Sequence, residues 1–224
     1  MHTGKGQVLE LILEEGYRYL RVSCPANLTP GPGQYLLASD GSASALPVPL
    51  FYTDSAPQGF VATAPMSIDW RPGLELTLRG PLGRGFSLPL GARRVGLVAF
   101  DDAPARLRGL IRQALKQDAA VVLVCASAPE TLPDDVEVQP LSTLQDILGW
   151  ADYVAFDIAR ESLHSLREQL ERPNKLAVAM GAQVLIRTPV PCGGVAECGV
   201  CAVTLKSEWK LACKDGPVFD WGEL

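Results

Sequence analysis

The chain has 224 residues, of which 47% are hydrophobic and 20% charged, a composition typical of a folded protein with a core rather than a disordered one. Its 21 glycines and 18 prolines predict many turns and argue against an all-helical bundle. The formal net charge of −5 comes without a basic stripe, which argues against nucleic-acid binding, and the absence of a signal peptide or an apolar run of ~18 residues predicts a cytoplasmic protein without a membrane span.

The first ninety residues have the pattern of short strands separated by turns. Apolar residues alternate along two segments, at Leu20, Val22 and Cys24 and again at Leu74, Leu76 and Leu78. Residues 27–33, 55–59 and 71–73 are rich in the proline, glycine and asparagine of turns. We therefore expect a small antiparallel barrel or sandwich over residues 1–90, of which the resemblance described below implies the barrel.

After residue 90, apolar strands alternate with amphipathic helices. Continuous apolar runs at 93–100, 118–126 and 151–157 predict buried strands. Helical faces follow, formed by Leu107, Leu110, Ile111 and Leu115 and later by Leu163, Leu166 and Leu170. Helix caps are expected from Asp101 or Asp102, from Ser142 with Gln145 as a capping box, and from Asp157. This order predicts a parallel α/β domain over residues 91–187.

Four of the six cysteines cluster in the remaining segment, 188–224. Five residues separate Cys192 from Cys198, two separate Cys198 from Cys201, and eleven precede Cys213. Thiols stay reduced in the cytoplasm, so this clustering favours a metal site over disulfides. Four thiolates suit an iron–sulfur cluster, although the plant-type [2Fe–2S] spacing has four residues in the first gap. Tetrahedral zinc and four unrelated thiols remain as alternatives.

The other candidate ligands have simpler interpretations. Cys24 and Cys125 lie in apolar strands, where a cysteine usually serves as a small buried hydrophobic residue. His164 lies off the leucine face of its predicted helix, so we expect a solvated surface histidine. With two histidines and no Gly-x-Ser-x-Gly motif, the sequence offers no nucleophile and base for a self-contained hydrolase.

Three motifs resemble the electron-transfer subunit of dihydroorotate dehydrogenase, a ferredoxin-reductase-like flavoprotein. The tail 192–219 ends in CKDGPVF, GPLGRGF at 80–86 is similar to GPLGNGF, and GPGQYL at 31–36 is similar to a PGQF strand. The resemblance implies an FAD-domain-like barrel, an NAD-domain-like α/β domain and a [2Fe–2S] domain ligated by the four clustered cysteines. It also implies a flavin-containing dihydroorotate dehydrogenase catalytic subunit, or another redox protein, as partner, and a place in pyrimidine biosynthesis.

The nucleotide signatures depart from this resemblance. The arginine and serine expected to contact FAD are replaced by Leu46 and Pro49, which removes a charge and a donor. The glycine-rich phosphate turn is replaced by Asp101 and Asp102, and carboxylates repel phosphate. The nicotinamide motif is replaced by residues 155–157. We therefore assign no residue to FAD, whose binding stays open, and expect no NAD binding.

Two hypotheses follow. The first is an iron–sulfur electron carrier that works as an oxidoreductase subunit rather than as a self-contained enzyme. The second is a non-catalytic assembly or regulatory subunit whose tail is a structural zinc site. A reducible centre distinguishes the two, because zinc has no redox chemistry in proteins.

Overall fold

The computed structural model describes residues 2–14, 17–42, 46–65, 69–127, 129, 131–170, 181–206 and 208–224. The N-terminal part is a closed antiparallel barrel of six strands in the order β1-β2-β5-β4-β3-β6. Its strands are β1 (His2–Glu14), β2 (Tyr17–Ser23), β3 (Tyr35–Ser39), β4 (Val48–Ala56), β5 (Gly59–Ala64) and β6 (Glu75–Leu82).

Alternation in the barrel strands separates an apolar interior from the outer surface. In β6, Leu76 and Leu78 are fully buried while the intervening Thr77 is exposed. Leu20 and Val22 of β2 enter the same core, which also contains Phe60. Because successive side chains of a strand point to opposite faces, these residues had to share one side. The expected antiparallel barrel is confirmed.

A six-stranded sheet follows in the order β14-β11-β10-β7-β8-β9. The strands β7 to β11 run parallel, and the last strand of the chain is antiparallel at the edge. The strands and helices that form this part of the chain are β7 (Arg94–Ala99), α1 (Arg108–Lys116), β8 (Ala120–Val124), β9 (Val136–Gln139), α2 (Leu144–Trp150), β10 (Tyr153–Ala159), α3 (Leu163–Leu170) and β11 (Ala182–Arg187). The expected α/β fold is confirmed.

The predicted helix faces are buried, but the predicted caps are wrong. Leu107, Leu110 and Ile111 are buried on one side of the sheet, and the three leucines of α3 are buried on the other. Short 3-10 turns precede α1, α2 and α3, and the described turns have no capping side chain. The aspartates expected to cap form ion pairs instead, as described below.

The other helix and cysteine expectations have mixed outcomes. Gln145 does not form a capping box, because its side chain bonds the Gln169 carbonyl instead. Residues 171–180, which follow α3, lie outside the described part of the chain. Cys125 is buried and Cys24 half-buried, and burial raises the pKa of both thiols. The His164 side chain is exposed, as expected.

The tail folds against the parallel sheet. It contains a two-stranded hairpin, a one-turn helix and an edge strand: β12 (Ala202–Thr204), β13 (Trp209–Leu211), α4 (Ala212–Asp215) and β14 (Val218–Asp220). Val203 and Leu205 share a core cluster with α3, and β14 pairs with β11. The domain boundaries at residues 90 and 187 stay predictions. Among the described helices, none has both the length and the apolar character required to cross a membrane.

Candidate metal centre

The cysteine loop, residues 192–201, leaves the carboxyl end of β11 and returns through β12. Its backbone turns at Gly193 and Gly194, with φ of +63° and +72°, a conformation that strains residues with side chains. Arg160, which follows β10, donates to the carbonyls of Val200 and Ala202 at 2.5 and 3.3 Å. The loop is therefore fixed to the α/β sheet at its second half.

The four clustered thiols form two pairs. The outer pair is Cys192, which is half-buried, and Cys198, which is exposed; the Cys198 side chain acts on the Cys192 thiol. The inner pair is Cys201 and Cys213, which are 1% and 4% exposed; the Cys201 side chain acts on the Cys213 thiol. The structure thus brings all four predicted ligands to one region, with one pair embedded in the core and one at the surface.

The environments of the two pairs set their pKa values apart. Burial alone would raise the pKa of Cys192, but hydrogen bonds from the Cys198 side chain and from the backbone of Glu197, Cys198 and Val195 lower it to about 6. Burial, together with Cys201 and the nearby Cys192, raises the pKa of Cys213 to about 12. Backbone amides around Cys192 therefore already favour the thiolate, the form that binds metals.

The arrangement of these thiols distinguishes between kinds of metal site. Among the residues that the structure describes, no group of three or more His, Cys, Asp or Glu side chains is placed to hold one metal ion. Two interacting pairs are present instead. A mononuclear zinc site needs four ligands around one point, whereas a binuclear iron–sulfur cluster takes two ligands on each iron. Four thiols in two pairs supply the donor set that an iron–sulfur cluster uses.

The outer half of the cysteine loop lies on the barrel. A Cβ added at Gly193 would lie 3.3 Å from Pro47 and 3.4 Å from the Arg79 guanidinium. One added at Gly194 would lie 3.5 Å from the hydroxyl oxygen of Tyr35. The barrel thus presents a cation and a hydroxyl to the loop.

A five-residue ionic network fills the carboxyl edge of the parallel sheet. Asp157 of β10 has a fully buried side chain and accepts hydrogen bonds from Arg106 at 3.0 Å and Arg187 at 2.9 Å. Asp102 forms ion pairs with the same two arginines at 3.2 and 3.3 Å. Asp101 pairs with Arg187 and accepts from the Ala159 amide. Three carboxylates therefore face two guanidinium groups.

The network occupies the place where open α/β sheets bind nucleotides, the crevice beyond the carboxyl ends of the strands. Burial alone would raise the pKa of Asp102, but the charges of Arg106 and Arg187 and the Ala103 amide lower it. Asp157 and Asp102 in turn raise the pKa of Arg106 against the effect of its burial. All five charges of the network are paired with one another and sum to a negative charge, which disfavours a phosphate beside them.

The positions expected to contact FAD also lack the necessary groups. Leu46 is 54% exposed and offers no charge. Pro49 pairs with Leu37 across β3 and β4 and has no amide hydrogen to donate. The adjacent Pro47 is covered by the cysteine loop at Gly193. The residues present therefore do not reproduce the flavin signature of the resembling family.

Sequence reasoning found the four cysteines but missed their surroundings. Asp157 pairs with Arg106 and Arg187, which lie 51 and 30 residues away from it in the chain. Tyr35 and Arg79 belong to barrel strands and meet the cysteine loop only after folding. No local pattern indicates such contacts, although the GPGQYL motif did mark the strand that carries Tyr35.

Comparison with solved structures defines the class of protein. A chain of NADH-dependent reduced ferredoxin-NADP oxidoreductase has a TM-score of 0.73, with 16% identity over 97% of this chain and 88% of that one. Ferredoxin-NADP+ reductase from Plasmodium falciparum has a TM-score of 0.61, with 8% identity over 82% of this chain and 95% of that one. The barrel and parallel sheet therefore form a ferredoxin-reductase-like fold.

The C-terminal part has a more specific relationship. Residues 192–224 match the sequence model of the iron–sulfur cluster binding domain of dihydroorotate dehydrogenase B, and all four clustered cysteines fall within the match. Together with the fold, this match confirms the resemblance to the electron-transfer subunit of dihydroorotate dehydrogenase. The chain thus combines a ferredoxin-reductase-like fold with a tail that resembles the iron–sulfur cluster binding domain of dihydroorotate dehydrogenase B.

Proposed function

We propose that this protein is an electron carrier whose single centre is a [2Fe–2S] cluster held by Cys192, Cys198, Cys201 and Cys213. The observation that carries the proposal is the arrangement of these thiols as two interacting pairs, one buried and one at the surface. The cluster, when bound, would supply one-electron storage. The chain holds its ligands, directs backbone amides at Cys192 and leaves the outer pair near solvent.

The same pairing favours iron over zinc. In this proposal, Cys192 and Cys198 ligate one iron, and Cys201 and Cys213 ligate the other. The match of residues 192–224 to an iron–sulfur cluster binding domain supports this assignment. The zinc-containing assembly subunit is therefore the less favoured function.

The donor and acceptor of the electron would be proteins rather than a nicotinamide nucleotide. The ionic network supports this view, because it fills the nucleotide crevice of the sheet with the chain's own charges. Exposed apolar side chains accompany the outer pair: Val195 and Val200 in the loop and Leu46 beside Pro47 are 46%, 41% and 54% exposed. Such residues suit a protein interface.

The partner we propose is a flavin-containing dihydroorotate dehydrogenase catalytic subunit, which would place the chain in pyrimidine biosynthesis in the cytoplasm. The match of residues 192–224 to the dihydroorotate dehydrogenase B domain supports this choice. Short-range electron exchange would then run through the outer pair, because Cys198 is the exposed ligand.

The test is metal, sulfide and flavin analysis of the full chain produced with adequate iron. We expect two irons and two sulfides per chain, as in any [2Fe–2S] cluster, and an absorption that bleaches on reduction. Cys198→Ser should lose most of the iron. Cys125→Ser is the matched control, because Cys125 is a buried thiol at the end of β8 that the proposal leaves outside the centre.

Two results would contradict the proposal. Stoichiometric zinc without sulfide would favour the assembly subunit, and equal iron loss from both serine variants would show that Cys198 has no special role. The partner is tested separately, by mixing the reduced protein with an oxidised dihydroorotate dehydrogenase catalytic subunit. Failure of flavin reduction there would refute the partner and leave the cluster intact.

A further inference from the structure

The hydroxyl of Tyr35 is a buried polar group without a partner. The residue is 1% exposed, and its hydroxyl oxygen makes no hydrogen bond within the described part of the chain. A hydroxyl deprived of both water and a protein partner costs free energy. A buried hydroxyl without a partner in a native fold points to a ligand that hydrogen-bonds to it.

The hydroxyl points toward the cysteine loop. A Cβ added at Gly194 would lie 3.5 Å from the Tyr35 oxygen, so the loop backbone passes directly over it. The thiols of Cys213, Cys201 and Cys192 and the Arg79 guanidinium lie near enough to influence the pKa of this hydroxyl. Three of the four proposed ligands therefore lie within electrostatic reach of this group.

The ring that carries the hydroxyl is held in place. It packs against Phe51 with 5.1 Å between ring centroids and a tilt of 35° between the rings, and a Cβ at Gly83 would lie 3.2 Å from its edge. The backbone of Tyr35 pairs with Phe51 in β4 and Leu82 in β6. The hydroxyl thus has a fixed direction, as a preorganised hydrogen-bond donor requires.

We propose that Tyr35 is a positioning residue that donates its hydroxyl hydrogen to a sulfur of the iron–sulfur centre and thereby raises the reduction potential of that centre. Reduction adds negative charge to the sulfurs, and a hydrogen bond stabilises the more negative state. The inference rests on the proposed function and deepens it, because it assigns to the barrel a role in tuning the centre. In the PGQF motif of the family that the chain resembles, this position is a phenylalanine, which has no hydroxyl to donate.

The test compares Tyr35→Phe with the parent protein, both purified with the cluster. We expect the ratio of reduced to oxidised cluster at a fixed ambient potential to fall about three- to tenfold, where tenfold corresponds to about 59 mV for a one-electron couple. A second readout is the resonance Raman spectrum of the iron–sulfur bonds. Exchange into deuterated water should shift these bands more in the parent than in Tyr35→Phe.

Tyr153→Phe is the matched control. Tyr153 is equally buried, but its hydroxyl donates to Gln183 at 2.8 Å. The control should keep the parent potential and lose stability, because it breaks a hydrogen bond. Tyr35→Phe should keep the stability of the metal-free chain, because it breaks none.

The outcomes separate this inference from the proposed function. An unchanged potential in Tyr35→Phe, with two irons still bound, overturns the inference alone. Loss of a bound flavin from Tyr35→Phe at unchanged potential assigns the hydroxyl to that flavin and also overturns the inference. A parent protein without iron and sulfide overturns the proposed function, and the inference falls with it.

Discussion

Removing a cation from the ionic network at the sheet edge should destabilise the chain more than removing an anion. The Arg187 guanidinium contacts all three carboxylates. It lies 2.9 Å from Asp157 and 3.3 Å from Asp102, and it also pairs with Asp101. Arg187→Met leaves Arg106 alone against three negative charges. Asp157→Asn instead leaves two carboxylates facing two arginines, which is a balanced set.

The burial of the two side chains sets the expected losses in the free energy of unfolding. The Arg187 side chain is 20% exposed and that of Asp157 is fully buried, so solvent compensates little for either loss. Removing one partner of a buried pair costs about 3–5 kcal/mol, and we expect Arg187→Met to fall in this range. Asp157→Asn loses charge-assisted hydrogen bonds of about 1.5–3 kcal/mol each, offset by the removal of the excess negative charge. We therefore expect a net loss of about 1–2 kcal/mol for this variant.

Urea unfolding of the full chain at pH 7, followed by tryptophan fluorescence and circular dichroism, measures both losses. With a slope of about 3 kcal/mol per molar urea, Arg187→Met should lower the midpoint by at least about 1 M and Asp157→Asn by about half of that. Equal shifts, or a larger shift for Asp157→Asn, would refute the charge-balance reasoning.

Two further predictions concern titration. The pKa of Asp102 is lowered in the folded chain, so its stabilisation is present above the unfolded pKa near ~3.9 and disappears as pH falls through the folded value. The stability difference between the parent and Asp102→Asn should therefore be full at pH 6, begin to shrink as pH falls through about 3.9, and disappear only below the lower folded pKa; urea titrations measure it, and a constant difference would contradict it. In the metal-free chain, Cys192 has a pKa of about 6 and Cys213 of about 12, so iodoacetamide at pH 7 should label Cys192 first. Peptide mass mapping checks the order, and earlier labelling of Cys213 would count against the pairing.

The sequence predicted the strands and helices well, but it did not predict the contacts between distant segments. Leu107, Leu110 and Ile111 were assigned to the core from spacing alone, because a helical period places them on one face. Asp157 was read as a helix cap from its place after an apolar run. It lies inside β10 instead, because two arginines from other elements neutralise it there. Charge pairing across the fold overrode the local signal.

The sequence by itself determined the four cysteines, the order of barrel and parallel sheet, and the loss of the nucleotide motifs. These are properties of residue type and spacing, which a linear pattern records. Only the tertiary structure decided that the cysteines form a buried and an exposed pair, that Arg106 and Arg187 fill the nucleotide crevice, and that Tyr35 faces the cysteine loop. The parallel sheet brings Arg106 and Arg187 to Asp157 from distant segments, and contact between the barrel and the tail brings Tyr35 to the cysteine loop.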